Sequence, residues 1–139
     1  PLEKKYRRLA EKLPNPIVME FYEPDRLLEI LHMADLYVHT SDAEIEAMSC
    51  MEAFACGLVP VIADSPRSAT PQFALDGRSL FPAGDAAALA EKIDWWFEHP
   101  EEREEMGKRY GEHAGRYALD RSIEQAEEMF RTAIQEQRK

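Results

Sequence analysis

The stretch TSDAEIEAMSCMEAFACGLVPVIAD, residues 40–64, carries a loop, a helix and a buried strand in direct succession. Ser41 and Asp42 are residue types that open helices, and Gly57 is the type that closes them with a left-handed turn. VPVIA, residues 59–63, is a short unbroken apolar run, the mark of a parallel strand covered on both faces. Glu44 is therefore expected in the loop and Glu52 inside a helix running from about Met48 to Cys56. That helix is apolar nearly all round (Met48, Cys50, Met51, Ala53, Phe54, Ala55, Cys56), the pattern of a buried element. A buried carboxylate seldom stands without a partner, so Glu52 reads as a functional residue. Glu44, with Asp42 and Glu46 beside it, reads equally well as a surface carboxylate.

Working outward toward the N-terminus, PLEKKYRRLAEKL sets Leu2, Tyr6, Leu9 and Leu13 at helical spacing behind a first-turn proline, Pro1. Pro14-Asn15-Pro16 ends that helix, and IVMEFY (Ile17 to Tyr22) is β-rich. Pro24-Asp25 opens a second helix with Leu27, Leu28, Ile30, Leu31 and Ala34 on its buried face, and LYVHT (Leu36 to Thr40) is the next strand. On the C-terminal side, a loop of small and turn-forming residues leads from Asp64 to Gln72, and SLF (Ser79 to Phe81) follows the Asp76-Gly77 turn signal as a further strand. From Asp85 onward only helices are expected: one with an apolar stripe at Leu89, Ile93, Trp96 and Phe97, one after His99-Pro100, and one from Asp120 or Ser122 to about Gln135. Strands alternating with helices predict an α/β fold, a doubly wound parallel sheet with a helical C-terminal third, whose ligand crevice lies outside the carboxyl ends of the strands.

Composition excludes several function classes. At 139 residues, 45% hydrophobic and 32% charged, the chain has the length and balance of one globular domain. Seventeen basic against 27 acidic side chains give a net charge of −10, and no basic run is interleaved with aromatics, so nucleic acid is not an expected partner. Cys50 and Cys56 are neither a CxxC pair nor near a histidine at ligand spacing, and no acidic metal-ligand cluster stands out, so no metal is expected. There is no apolar run of about 18 residues and no leader-like start, which predicts a cytoplasmic protein.

Several residues together carry a family resemblance. Ala34-Asp35 closes a helix before a strand, Ser41 follows, Glu44 and Glu52 stand with seven residues between them, and Ala53-Phe54-Ala55-Cys56-Gly57 precedes a Pro-Val-Ile strand. This pattern resembles the donor-sugar half of GT-B retaining glycosyltransferases of family 4. DGRSLFPAGDAAALAEKI and HPEEREEMGKR extend the likeness through nearly the whole chain. SDAEIEA, EAFACGLVPVI and DSPRSATPQFALDGRSLF are similar to the bacterial lipid-directed α-glucosyltransferases, among them the cholesterol α-glucosyltransferases.

The resemblance implies a Rossmann-like, nucleotide-sugar-binding domain over residues 1–139, part of a larger two-domain enzyme, with UDP-glucose as donor, a lipid or sterol hydroxyl as acceptor, and no cofactor or metal. It implies that Glu52 holds the ribose hydroxyls and that Glu44 faces the donor sugar and steadies positive charge at the anomeric carbon. Ile45, Glu46, Ala47, Met48 and Ser49 lie between the two glutamates, and the amides of roughly Ala47 to Ser49 at a helix N-terminus suit a pyrophosphate or a sugar hydroxyl. Phe21, Ser68 and Thr70 complete the substrate-binding candidates; for Ser68 and Thr70 simple turn chemistry is an equal alternative. His39, at a strand end on the crevice side, either approaches the donor or binds a neighbouring side chain. Trp95-Trp96 suggests a sugar platform or, at helical spacing, core.

The pattern also departs from the family. Ile45-Glu46-Ala47 replaces the common Gly-Phe-Gly, Leu58 and Val59 lengthen the step from Gly57 to Pro60, and Glu20 stands where a glycine is common. The family's phosphate-binding Arg/Lys pair, its first strand and its acceptor-binding N-terminal domain have no counterpart in this sequence. The sheet is accordingly expected to lack its N-terminal strand and to leave IVMEFY or VPVIA with an open edge, so that the chain either self-associates there or is markedly less stable than the intact half-enzyme; contact with a membrane surface is expected of the full enzyme. Two other classes remain open: a sugar-nucleotide epimerase of the same architecture, and a non-catalytic nucleotide-binding module.

Overall fold

The structure, a computed structural model, describes residues 2–137. Its centre is the strand β2 (Pro60–Asp64), flanked by β1 (Tyr37–His39) and β3 (Leu80–Pro82) in a parallel sheet of order β1-β2-β3. The register pairs Tyr37 with Pro60 and His39 with Ile62 on one side, and Ile62 with Leu80 and Asp64 with Pro82 on the other. Pro60, Val61, Ile62 and Ala63 are all buried, and since successive strand side chains point to opposite faces, both faces of β2 are covered. Pro60 is tolerated because it is the first residue of its strand.

The described residues form six helices: α1 (Glu3–Ala10), α2 (Pro24–Met33), α3 (Met48–Ala55), α4 (Ala86–Glu98), α5 (Pro100–Ala114) and α6 (Leu119–Glu136). Short 3-10 turns occupy Thr70–Phe73, Gly77–Ser79 and Gly115–Tyr117. The core forms where α3, α4 and α5 meet the sheet, around Phe54, Val59, Val61, Ile62, Phe73, Phe81, Trp96, Met106 and Tyr110. The Phe54 ring lies 5.6 Å from Phe73 and 6.0 Å from Tyr110, and the Tyr110 hydroxyl, deep in this cluster, donates to Ser79 Oγ at 3.1 Å and accepts from the Leu75 amide at 2.9 Å. A buried phenol is satisfied in this way at no cost to the apolar packing around its ring.

The turn after α3 is a Schellman motif: Gly57 adopts φ +82°, its amide donates to the Phe54 carbonyl at 3.0 Å, and the Leu58 amide reaches the Ala53 carbonyl at 3.2 Å. Asp85 caps α4 by accepting the Ala88 amide at 2.9 Å, as its position in the sequence predicts.

Several expectations need correction. IVMEFY is not a strand; residues 17–23 have no ladder partner among the described residues, and Ile17, Val18 and Phe21 are exposed. The open edges belong to β1 and β3, because VPVIA is paired on both sides. Ser41 and Asp42 do not open α3, which begins at Met48 with Ala47 at its N-cap and no side-chain cap. Asp42 is committed instead to Ser65 and Arg67. Helix α3 buries Cys50, Ala53 and Phe54 and turns Met48, Ser49, Glu52 and Ala55 outward, so it is one-sided rather than wholly buried.

Leu27 and Leu28 of α2 are exposed while Ile30 and Leu31 are half-buried; α1, α2 and α6 bury no residue fully. His99 and His113 are half-buried, His99 stacked on Trp95 at 4.1 Å and His113 set against Phe54 and Tyr117. Trp96 is core and Trp95 half-buried beside it. The Pro1 expectation lies outside the described residues.

Candidate functional site

The candidate residues are carried by the loops leaving the carboxyl ends of β1 and β2. Beyond the strands these two loops stay zipped: Glu44 and Ser68 form an isolated parallel bridge, with the Glu44 amide donating to the Arg67 carbonyl at 3.3 Å and the Ala69 amide to the Glu44 carbonyl at 2.9 Å. Behind the bridge, Ser65 Oγ lies 2.7 Å from the Asp42 carbonyl and 2.8 Å from Asp42 Oδ1, and Arg67 forms an ion pair with the same carboxylate. Glu44 is thereby fixed in backbone position.

Its carboxylate is half-buried and accepts the Ile45 amide through Oε1 at 3.0 Å, while Oε2 has no partner among the described residues. One oxygen is held and the other is free, an arrangement that orients a carboxylate without neutralising it.

From Glu44 the chain passes Ile45 and Glu46, both exposed, and buried Ala47 to reach α3. The Met48 amide is spent on the Glu46 carbonyl at 2.9 Å, which leaves the amides of Ala47 and Ser49 without a backbone acceptor at the helix N-terminus. Glu52, one turn further, is exposed and has no hydrogen-bond or ion-pair partner among the described residues. It lines an apolar cleft of about 290 Å³ with Met48, Met51, Phe54, Ala55, Ala114, Tyr117 and Ala118. The burial argument for Glu52 therefore fails: at 3.6 residues per turn, positions 48, 52 and 55 share the outward face of α3. Its place on the same short helix as Ser49 remains.

Ser68 and Thr70 are drawn into the site by the loop after β2, where Ser68 Oγ donates to Thr70 Oγ1 at 3.0 Å and accepts the Thr70 amide at 3.2 Å. His39, 8% exposed, contacts Thr70 Oγ1 through Nε2 at 3.4 Å and the Tyr37 hydroxyl through Nδ1 at 3.1 Å. Tyr37 in turn sits 2.9 Å from Ser49 Oγ. Phe21 is not brought into this group; it is 91% exposed and shares a shallow cleft with Glu3, Arg7, Met19 and Glu20.

Sequence reasoning missed Tyr37, Asp42, Ser65 and Arg67. The period-2 spacing of Tyr37 and His39 was a usable signal, since it puts both on one face of β1. Among the described residues no three His, Cys, Asp or Glu side chains are grouped to hold a metal ion. Burial pushes the Cys50 thiol up to about 12, which makes it an inert core residue.

No curated protein matches the sequence. The family model described as Glycosyl transferases group 1 matches residues 1–113. The chain belongs to the group 1 glycosyl transferases. Among solved structures, this glycosyl transferase is similar to the catalytic domain of cholesterol-alpha-glucosyltransferase from Helicobacter pylori, with 50% identity over 85% of this chain and 74% of that one and a TM-score of 0.81. The fold thus matches a GT-B Rossmann-like domain, and the family and the neighbour support a hexosyltransferase. The family match stops at residue 113, so α6 lies outside it. No described helix is long and apolar enough to cross a membrane.

Proposed function

We propose that this glycosyl transferase chain is the donor-binding domain of a retaining, metal-independent enzyme that transfers glucose from UDP-glucose to a lipid or sterol hydroxyl. The observation that carries the reading is the 50% identity to a domain whose description names a cholesterol α-glucosyltransferase. The local chemistry agrees with it. Breaking the bond between the anomeric carbon and the diphosphate leaves positive charge on the sugar ring and negative charge on the leaving oxygen. Glu44, held by one oxygen with the other free, is the group for the first charge, and the Ala47 and Ser49 amides at the start of α3 are the groups for the second. Glu52, exposed and unpaired, is free to accept the two ribose hydroxyls with charge-assisted hydrogen bonds. The leaving-group charge falls to the Ala47 and Ser49 amides, without a metal ion. The enzyme works in the cytoplasm at the inner face of the membrane, where its acceptor lies.

The test incubates the intact protein with UDP-glucose and vesicles containing cholesterol, with and without EDTA. An α-linked glucolipid, identified by mass and by the anomeric proton coupling and formed at the same rate in EDTA, is expected. Epimerised sugar nucleotide without glucolipid would assign the epimerase reading, and UDP binding without any turnover would assign a non-catalytic module.

A further inference from the structure

The sequence of contacts Ser68–Thr70–His39–Tyr37–Ser49 forms one continuous line of side-chain hydrogen bonds. It passes from the β2 loop, under β1, to the first turn of α3, so it links the two walls of the loop that carries Glu44. Ser68 donates to Thr70 Oγ1, which leaves the Thr70 hydroxyl proton available to His39 Nε2. An Nε2 that accepts requires the imidazole proton on Nδ1, from which it goes to the Tyr37 oxygen. In that order Tyr37 accepts from His39 and has its own proton for Ser49 Oγ, and burial raises the phenol above its ordinary value, which keeps that proton in place. Ser49 is exposed, and its own proton has no acceptor among the described residues.

We infer that His39 is a positioning residue: held as the Nδ1-protonated tautomer, it sets a one-way line of donors that ends with the Ser49 hydroxyl proton directed outward, toward a phosphate oxygen of the donor's diphosphate. The inference rests on the donor-site reading above and adds to it a side-chain donor beside the Ala47 and Ser49 amides. Reversal of the line would turn the Ser49 proton inward to Tyr37 and present a lone pair, which repels an anion, at the same point. The tautomer of one buried histidine thus decides whether the start of α3 accepts or rejects diphosphate.

The intact protein labelled with 15N-histidine gives the first test. The four histidines of this chain are resolved by their ring nitrogen shifts, His39 being assigned by its loss in His39→Gln. A pyrrole-like Nδ1 and a pyridine-like Nε2 for His39 are expected at neutral pH; the opposite pattern overturns the proposal. The second test titrates UDP into the wild type, Ser49→Ala, Tyr37→Phe and the double variant. Ser49→Ala is expected to weaken binding about tenfold, as for loss of one hydrogen bond to a charged group. Tyr37→Phe, which touches no ligand, should weaken it roughly threefold, and the double variant should be no weaker than Ser49→Ala, since both act through one hydroxyl. Additive losses, or wild-type affinity in Tyr37→Phe beside a weakened Ser49→Ala, would overturn the relay. Thr70→Val guards against a folding artefact: it should scramble the His39 tautomer while the dispersed amide spectrum persists, and an unchanged tautomer counts against the line. Absence of UDP binding in the wild type sinks the donor-site reading and the role given to Ser49, while the tautomer signal still reports separately on the line itself.

Discussion

Gly107 and Gly111 lie one turn apart in α5, and the structure assigns them opposite responses to the same substitution. A Cβ on Gly107 would stand 2.3 Å from the Gly57 carbonyl oxygen, whereas one on Gly111 meets nothing within 4 Å. Replacing either by alanine removes the flexibility of glycine from a helix interior, which is worth up to about 1 kcal/mol. At Gly111 that gain stands alone. At Gly107 it is set against a backbone collision. The Gly57 oxygen cannot yield easily, because it belongs to the Schellman turn fixed by the Gly57 and Leu58 amides and by a positive φ that glycine alone adopts without strain. To restore an ordinary 3.4 Å contact α5 must retreat by about 1.1 Å from α3, loosening Met106 and Tyr110 against Phe54.

Overpacking of this kind costs about 1–3 kcal/mol, and a backbone-to-backbone clash belongs at the upper end. The net effect of Gly107→Ala is therefore a loss of about 2 kcal/mol, against a gain of about 0.5–1 kcal/mol for Gly111→Ala. For a domain of this size that corresponds to a fall of roughly 6–8 °C and a rise of roughly 2–3 °C in Tm. Thermal and urea unfolding followed by far-UV circular dichroism, on both variants in one background, measures the difference without needing the absolute stability. If Gly107→Ala is as stable as Gly111→Ala, α3 and α5 do not approach as described and the packing argument is wrong.

Four further outcomes are expected. Glu52→Gln should remove calorimetrically detectable UDP binding, and unchanged affinity would show that Glu52 does not hold the ribose. In the intact enzyme Glu44→Gln should lower kcat by roughly 100-fold or more with little change in donor KM, the pattern of an interaction made mainly in the transition state; an effect confined to KM would make Glu44 a binding residue only. The hydrogen bonds from the Arg78 side chain and amide hold Asp76 down to about 2, so the folded state keeps this carboxylate ionised where the unfolded chain takes up a proton. Its contribution is nearly complete above about pH 4 and is lost as pH falls through 2, so Asp76→Asn should cost about 1 kcal/mol at pH 7 and only a small fraction of that at pH 2, read from urea midpoints. Residues 1–139 alone should associate with rising concentration in sedimentation velocity, since β1 leaves one ladder edge open and α1, α2 and α6 expose Leu9, Leu28 and Phe130; a monodisperse monomer at all concentrations would refute this.

What the sequence made legible was what local rules determine. The apolar run before Asp64 is a strand buried on both faces, Gly57 is the left-handed residue of a helix-closing turn, and Asp85 caps its helix, because each depends on residues within a few positions of itself. IVMEFY failed as a strand for the complementary reason. Its composition states compatibility with a sheet, but a strand exists only beside a partner, and among the described residues none lies alongside it. Glu52 was misjudged because a run of alanine, cysteine and methionine looks uniformly apolar while a helix of eight residues has only one face to bury. The pair of glutamates was visible as a spacing, yet what holds the site together was not. Asp42 finds Ser65 at a separation of 23 residues, and His39 finds Thr70 at 31. Those partners are chosen by the parallel register of β1 and β2, which sets Tyr37 against Pro60 and carries the two loops onward side by side until Glu44 meets Ser68. A one-residue slip of that register would turn His39 from the buried side of β1 to the open one and break the line to Ser49. The positioning of this site is thus a property of strand pairing, and the alternation of Tyr37 and His39 along β1 is the only part of it that the linear sequence displays.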